Sequence, residues 1–352
     1  LLNLALGLDK GEFEVCIACK TDEGLLFEDV KNSGIPVYLL NFDPQMRPIT
    51  TLVREAYRIS KKLRKISPDI IHSFHYNNNY SEALAARMAG VSWIFTKKNM
   101  NWGGDGANAW KIRSYLARRI VIQNQSMSEQ FFPNNNKTIL IERGIPIQRY
   151  IADIPKPKIR EELKTPQNAR IIICVANLVP IKGVKYLIEA FIQLSNHFTD
   201  WHLWLIGEDD TPYASELYAA ISQTNLSHRI HFSGKRKDVR AFLNHAEIFV
   251  LPTKRVGEGS PVALLEAMAN GKVVLGSRVS GIASILHRWP ENLFEAENVS
   301  SIIEKLIPYL KNSTIDNMNK GLEFLAHVQD NYSLTKEIER HEILYKEMMA
   351  NS

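Results

Sequence analysis

Gly257 to Gly281 read GEGSPVALLEAMANGKVVLGSRVSG. This stretch sets two glutamates, Glu258 and Glu266, around a tight turn and the start of an apolar helix. Ser260 is placed to cap that helix and Pro261 suits its first turn. The free N–H groups and positive dipole end left there attract an anion. Val262, Ala263, Leu264, Leu265, Ala267, Met268 and Ala269 make the helix apolar almost all round, which predicts a buried helix. A carboxylate inside it, Glu266, then needs a partner, and the hydroxyls of a sugar or ribose meet that need. A lone buried glutamate is ordinarily paired with a lysine or with backbone. Two of them around a Gly-Ser-Pro turn point instead to a ligand site.

Upstream, IIICVANLVPIKGVKYLIEAFIQL reads as a buried strand over 171–176, a loop, and an amphipathic helix from about Lys182 to Leu194. The same rhythm continues with strands near His202, Arg229, Glu247, Lys272 and Asn292. The first half also alternates. Phe13–Cys19, Pro36–Leu40, Asp69–His72, Trp93–Thr96, Arg119–Gln123 and Thr138–Ile141 read as strands, with helices over Gly24–Asn32, Thr50–Arg64 and Ser81–Gly90 between them. This predicts an α/β chain of two Rossmann-like, doubly wound halves. The boundaries fall at 1–150, a proline- and charge-rich linker over 151–169, a second domain over 170–332, and a last helix within 333–352. Ile338, His341, Leu344 and Met348 give that last helix its spacing. The opening LLNLALGLDKGEFEVCIACK reads as a helix leading directly into a strand, so a preceding strand and glycine-rich turn are expected to be missing.

The chain has 352 residues, 45% of them hydrophobic, enough for two sizeable cores. A net charge of +5 suits anionic nucleotides or an acidic membrane surface. It lacks the dense basic stripe and recognition motif of a nucleic-acid binder. Three cysteines, Cys16, Cys19 and Cys174, indicate a reducing compartment. Cys16 and Cys19 lie three apart in a predicted strand, so they point to opposite faces and read as buried thiols rather than a metal or disulfide pair. No apolar run spans a bilayer and no leader is recognisable, which predicts a cytoplasmic protein. The run YRISKKLRK, Tyr57 to Lys65, raises peripheral contact with the inner membrane face, against the commoner reading of a solvated helix face.

The Glu258-x7-Glu266 spacing, followed by Gly271-Lys272-Val273-Val274, resembles the retaining GT-B glycosyltransferases of family 4. The resemblance is strong over the second domain and rests on pattern, and on phrases such as PDIIHSF, in the first. It implies two domains facing a cleft, with the C-terminal helix crossing back to the first. It further implies transfer of a sugar from a nucleotide-diphosphate sugar to a hydroxyl, with no metal or other cofactor. Lys182 and Glu258 become the catalytic candidates, Lys182 on the diphosphate and Glu258 on the donor sugar. Glu266 takes the ribose hydroxyls, and the Gly259, Ser260, Pro261 and Val262 backbone meets the diphosphate. Gly183, Asn177 and Arg236 complete the implied donor pocket. Acceptors of such enzymes are glycans or lipid-linked intermediates of envelope or capsular polysaccharide.

The chain departs from the family pattern in three places. Asn177 stands where an arginine is usual, and Lys254 and Arg255 are candidates for the missing charge. Ala283 and Ser284 stand where an acidic residue commonly follows Ser280-Gly281. A His-Asp pair after the strand at 93–96 is replaced by Lys97-Lys98-Asn99-Met100. His75, Lys98 and Asn99 are therefore acceptor-side candidates without an assigned catalytic role. Of the rival readings, a nicotinamide oxidoreductase lacks the Gly-x-Gly-x-x-Gly turn. A phosphorylase lacks a cofactor-lysine context. The standing alternative is a noncatalytic nucleotide-sugar-binding or scaffold protein.

Overall fold

The computed structural model describes residues 1–23, 27–75, 77–102, 107–151, 158–255 and 258–350. Over the first part of the chain the elements are α1 (Leu2–Gly7), β1 (Ile17–Cys19), α2 (Phe27–Lys31), β2 (Val37–Leu39), α3 (Ile49–Ile66), β3 (Ile70–Ser73), α4 (Ser81–Ala89), β4 (Ser92–Lys97), α5 (Ala107–Leu116), β5 (Arg119–Ile122), α6 (Gln125–Phe131) and β6 (Thr138–Leu140). There follow α7 (Gln148–Ile151), α8 (Ile159–Glu162), β7 (Arg170–Val175), α9 (Val184–Leu194), β8 (Trp201–Ile206), α10 (Pro212–Ser222), β9 (Ile230–Phe232), α11 (Val239–Leu243) and β10 (Ile248–Leu251). The remainder is α12 (Val262–Ala269), β11 (Val273–Ser277), α13 (Ser280–Ile285), β12 (Leu293–Phe294), α14 (Val299–Lys311), α15 (Thr314–Asn331) and α16 (Leu334–Ala350). These form two compact units, one of residues 1–144 with 334–352, the other of 145–333.

The second unit is built on a six-stranded parallel sheet in the order β12-β11-β10-β7-β8-β9. Its central strands, RIIICV and WHLWLI, are apolar without alternation apart from Arg170 and His202, as expected of strands covered on both faces, and every residue of β8 is buried. After β7 the chain runs outward through β8 and β9, then returns to lay β10 on the other side of β7. The loops leaving β7 and β10 are thereby neighbours at a topological switch point, where parallel sheets of this kind bind ligands.

The first unit carries a four-stranded parallel sheet, β3-β4-β5-β6, and a separate parallel pair, β1-β2. Alternate residues of β4 serve opposite cores. Trp93 and Phe95 pack with Trp110 of α5, whereas Ile94 packs with Leu4 of α1 and with Leu344 and Met348 of α16. The last helix thus belongs to the first unit.

Three local readings are corrected. The strand expected from Phe13 begins only at Ile17, because Phe13 turns its ring onto Tyr345 of α16 (centroids 6.1 Å apart) instead of extending the ladder. Cys16 consequently lies outside the strand and is exposed, Cys19 is half-buried, and only Cys174 is buried. The helix expected from Lys182 begins at Val184, after a single 3-10 turn over Pro180–Lys182. Residues 24–26 of the expected second helix and 152–157 of the expected linker lie outside the described residues, and the linker's described part contains α8.

His202 of β8 and His231 of β9 lie with Nδ1 and Nε2 2.9 Å apart and their rings stacked. Burial, reinforced by neighbouring histidines, lowers both to about 4. A histidine held neutral in the fold but titrating normally when unfolded costs stability as pH falls through the unfolded value near 6.5, with the loss complete below about 4. The thermal unfolding midpoint is expected to fall between pH 6.5 and 4. His231→Gln should flatten that slope; an unchanged slope would show that the pair does not set it.

Candidate active site

The site grows from the two loops that the switch point brings together. Gly183 closes the first loop with φ of 64°, the left-handed region that glycine enters without strain. A Cβ at this position would stand 2.1 Å from the carbonyl oxygen of Pro252, just past β10. Only glycine lets the first loop rest on the second this closely. The Lys254 N–H donates to the Ile181 carbonyl at 2.9 Å and ties the two together.

That seating carries the Lys182 ammonium to the Glu258 carboxylate, with which it forms an ion pair. Glu258 is 8% exposed. Its Oε1 also accepts from the buried Thr253 hydroxyl at 3.2 Å, and the Thr253 carbonyl accepts from the Ser277 hydroxyl at 2.5 Å. Gly281 comes against the same turn, its N–H donating to the Glu258 carbonyl at 3.2 Å. A Cβ on Gly281 would lie 2.6 Å from the carbonyl oxygens of Glu258 and Gly259, so the Ser280-Gly281 pair is held by close backbone packing.

Helix α12 departs from expectation at its start. Pro261 is its N-cap and no side chain caps it, so Ser260 does not play the capping role and Pro261 precedes the first turn. Leu264 and Leu265 donate to the Pro261 carbonyl at 3.1 and 3.3 Å, and helix geometry leaves the Val262 and Ala263 amides, a few residues past Glu258, without intrahelical acceptors. The helix is also not buried all round. Leu264, Leu265, Ala267, Met268 and Ala269 face the core, while Val262, Ala263 and Glu266 share a half-exposed face. Glu266 accepts a 2.6 Å hydrogen bond from the Tyr150 hydroxyl on α7. Burial and this carboxylate push the tyrosine well above its usual value, so the hydroxyl stays protonated and donating.

Lys182, Gly183, Glu258 and Gly259 are thus brought together, with Glu266 farther along α12. Asn177 is exposed in the loop after β7, and its side-chain oxygen lies 3.5 Å from the Glu208 N–H. Arg236 donates to the Ser233 carbonyl at 2.8 Å and pairs with Glu162 of α8. Lys254 pairs with Glu297 at 3.7 Å, and Arg255 is exposed. Gly257 lies outside the described residues. Sequence reasoning passed over Thr253, whose only sequence signal is a hydroxyl next to Lys254, and Tyr150, which lies 116 residues from the carboxylate it meets and carries no sequence signal.

In the first unit, His75 follows β3, and Lys98 and Asn99 follow the neighbouring strand β4. Burial and then the Arg143 charge lower the Lys98 ammonium, and burial lowers His75. Lys97 is fully buried and donates to the Asn99 and Asn101 carbonyls, which shapes the loop that carries Lys98 and Asn99. The loop carrying His75 is held from below by Arg113, which donates to the His75 and Asn79 carbonyls at 3.1 and 2.7 Å. Arg113 stands 3.7 Å from Glu82, and both are buried. Neither residue was legible as part of a site.

A cation and helix amides for an anion, next to carboxylates for hydroxyls, suit a sugar joined to a diphosphate. Residues 155–322 match the glycosyl transferases group 1 family, and residues 1–126 match the glycosyl transferase 4-like domain. The chain belongs to the group 1 glycosyltransferases. It is 22% identical over 364 residues to the Escherichia coli enzyme named UDP-Gal:alpha-D-GlcNAc-diphosphoundecaprenol alpha-1,3-galactosyltransferase, covering 98% of this chain and 92% of that one. It is 24% identical to the Campylobacter jejuni N,N'-diacetylbacillosaminyl-diphospho-undecaprenol alpha-1,3-N-acetylgalactosaminyltransferase, covering 83% and 81%. A Rickettsia africae glycosyltransferase superposes with a TM-score of 0.86 over all of this chain and 94% of its own, at 18% identity. Anabaena HepE in complex with UDP-glucose superposes at 0.80 over 98% and 96%, at 17% identity. These structures show the GT-B fold for this glycosyltransferase.

Two substitutions probe the geometry. Gly183→Ala forces a Cβ onto the Pro252 carbonyl and should cost the glycosyltransferase more than about 1 kcal/mol in urea unfolding. An equally stable variant would show that the loops do not need this contact. Tyr150→Phe removes a donor to a carboxylate and should cost about 1.5 kcal/mol. A value near zero would mean that water replaces the hydroxyl.

Proposed function

We propose that this glycosyltransferase moves a sugar, with retained anomeric configuration, from a nucleoside-diphosphate sugar to a hydroxyl of a lipid-linked glycan intermediate in envelope or exopolysaccharide synthesis. The observation that carries the donor half is the meeting of Lys182, Glu258 and the start of α12 at the sheet's switch point. A diphosphate drawn to Lys182 competes with Glu258 for the ammonium. The freed carboxylate then meets the donor sugar's hydroxyls, while Glu266 takes those of the ribose. Asn177, Gly183 and Arg236 border the same pocket in this reading.

In the reaction, the bond from the anomeric carbon to the diphosphate oxygen breaks as the acceptor oxygen bonds to that carbon. The acceptor proton leaves to a departing phosphate oxygen. Charge grows on the diphosphate, and Lys182, the turn amides and the dipole of α12 stabilise it, so the reading calls for no metal or other cofactor. Lys182 and Glu258 are its catalytic residues. The acceptor half draws support from the two diphosphoundecaprenol relatives and from Lys98, Asn99 and His75 at one edge of the first unit's sheet. Retention draws support from the relatives' alpha-linked products, because UDP-galactose itself carries its sugar in the alpha configuration. In this reading the reaction takes place on the cytoplasmic side, where a nucleotide sugar is at hand. No helix among the described residues is long and apolar enough to cross a membrane.

A thermal-shift screen of UDP-, GDP- and ADP-sugars tests the reading. One donor should stabilise the protein, and Lys182→Ala and Glu266→Ala should each weaken that donor at least about tenfold. Lys182→Ala should further lower kcat roughly 100-fold. Donor binding without turnover on any lipid-linked acceptor would favour a noncatalytic nucleotide-sugar-binding or scaffold protein; no shift with any donor would remove the proposal.

A further inference from the structure

Helix α3, ITTLVREAYRISKKLRKI, is amphipathic in an unusual way. Its inner face, Leu52, Ala56, Ile59 and Leu63, is buried, with Ala56, Ile59 and Leu63 in a core shared with α4. Its outer face is not simply polar. Ile49, Val53 and Tyr57 recur every fourth residue and are 61%, 46% and 48% exposed, forming an apolar ridge along the helix. A single exposed apolar residue is ordinary, but three in line are not.

The ridge runs into positive charge. Six of the helix's residues are lysine or arginine and one, Glu55, is acidic. Arg54 and Arg58 lean on Glu55 at 3.4 and 2.8 Å, and Arg64 donates to the Met88 carbonyl. Lys61, Lys62 and Lys65 are exposed, and no ion pair engages them among the described residues. The Lys61 ammonium sits 4.7 Å over the Tyr57 ring, at the junction of ridge and charge. Helix α5 also packs against α4 and presents Tyr115, 79% exposed, on the same side of the sheet. The surface is therefore a convex ridge with a lysine fringe. A protein partner needs a matching groove, whereas a fluid anionic surface moulds to a ridge and draws in lysine ammonium groups as point charges.

We propose that α3 docks this chain on an anionic lipid bilayer, with Ile49, Val53 and Tyr57 entering the headgroup region and Lys61, Lys62 and Lys65 neutralising lipid phosphates. The docking shares no residue with the donor site of the second unit, so either stands without the other. It gives the lysine-rich run, ordinarily a solvated face, a partner of defined chemistry.

Co-sedimentation with vesicles tests this. The full chain should bind phosphatidylcholine vesicles that contain phosphatidylglycerol, release in high salt, and ignore pure phosphatidylcholine. Joint Lys61→Glu, Lys62→Glu and Lys65→Glu should weaken binding roughly 100-fold. Joint Val53→Ser and Tyr57→Ser should weaken it about tenfold. Both variants should keep the parent's unfolding midpoint and donor-induced thermal shift. No binding by the parent, or undiminished binding by the charge-reversed variant, overturns the proposal, and undiminished binding by the Ser variant overturns entry of the ridge. Vesicle binding without any donor shift would leave docking in place and count against the catalytic reading alone.

Discussion

The close contact between Gly183 and the Pro252 carbonyl governs the second unit's chemistry. Two strands that are distant in sequence leave a parallel sheet side by side, and their exit loops compete for the space above it. One position without a side chain lets the loops meet at backbone distance. Lys182 and Glu258 inherit their proximity from that meeting, and Gly281 repeats the device against the Glu258-Gly259 turn. Glycine here serves approach rather than flexibility.

The site is electrostatically self-consistent. Glu258 has Lys182 and Thr253, and Glu266 has Tyr150, so neither carboxylate bears its desolvation without a partner. These internal partners oppose an incoming ligand, because under the proposed reading a diphosphate and a ribose must each offer more than they displace. They also keep the carboxylates in place before the ligand arrives, which reduces the ordering that binding requires. The first unit solves a related problem differently. Arg113, enclosed by the rings of Trp93, Phe95 and Trp110, spends its donors on loop carbonyls and on Ser73, and so stiffens the segment after β3 from within the core.

Much of this architecture is legible from local pattern. The apolar run at 171–175 and the run at 201–206, interrupted only by His202, announce doubly covered parallel strands, and Leu334 to Met349 matches the observed last helix to within a residue. Patterns mislead where a tertiary contact outbids the local rule. Ser260 has the chemistry of an N-cap, yet the turn that brings Glu258 to Lys182 leaves Pro261 in that position. Phe13 and Val15 alternate as a strand should, yet they pack with the core that includes α16.

Spacing along the chain determined the elements, their parallel order and the two glutamates of the site, because helix and strand periods and a turn's residues are properties of a few neighbouring positions. Tertiary structure alone decided the partners. Tyr150 reaches Glu266 from 116 residues away, Arg236 reaches Glu162 from 74, and Lys182 reaches Glu258 from 76. A hydrogen bond depends on where two atoms stand in space, and the sheet's crossover connections, rather than any local preference, set those positions.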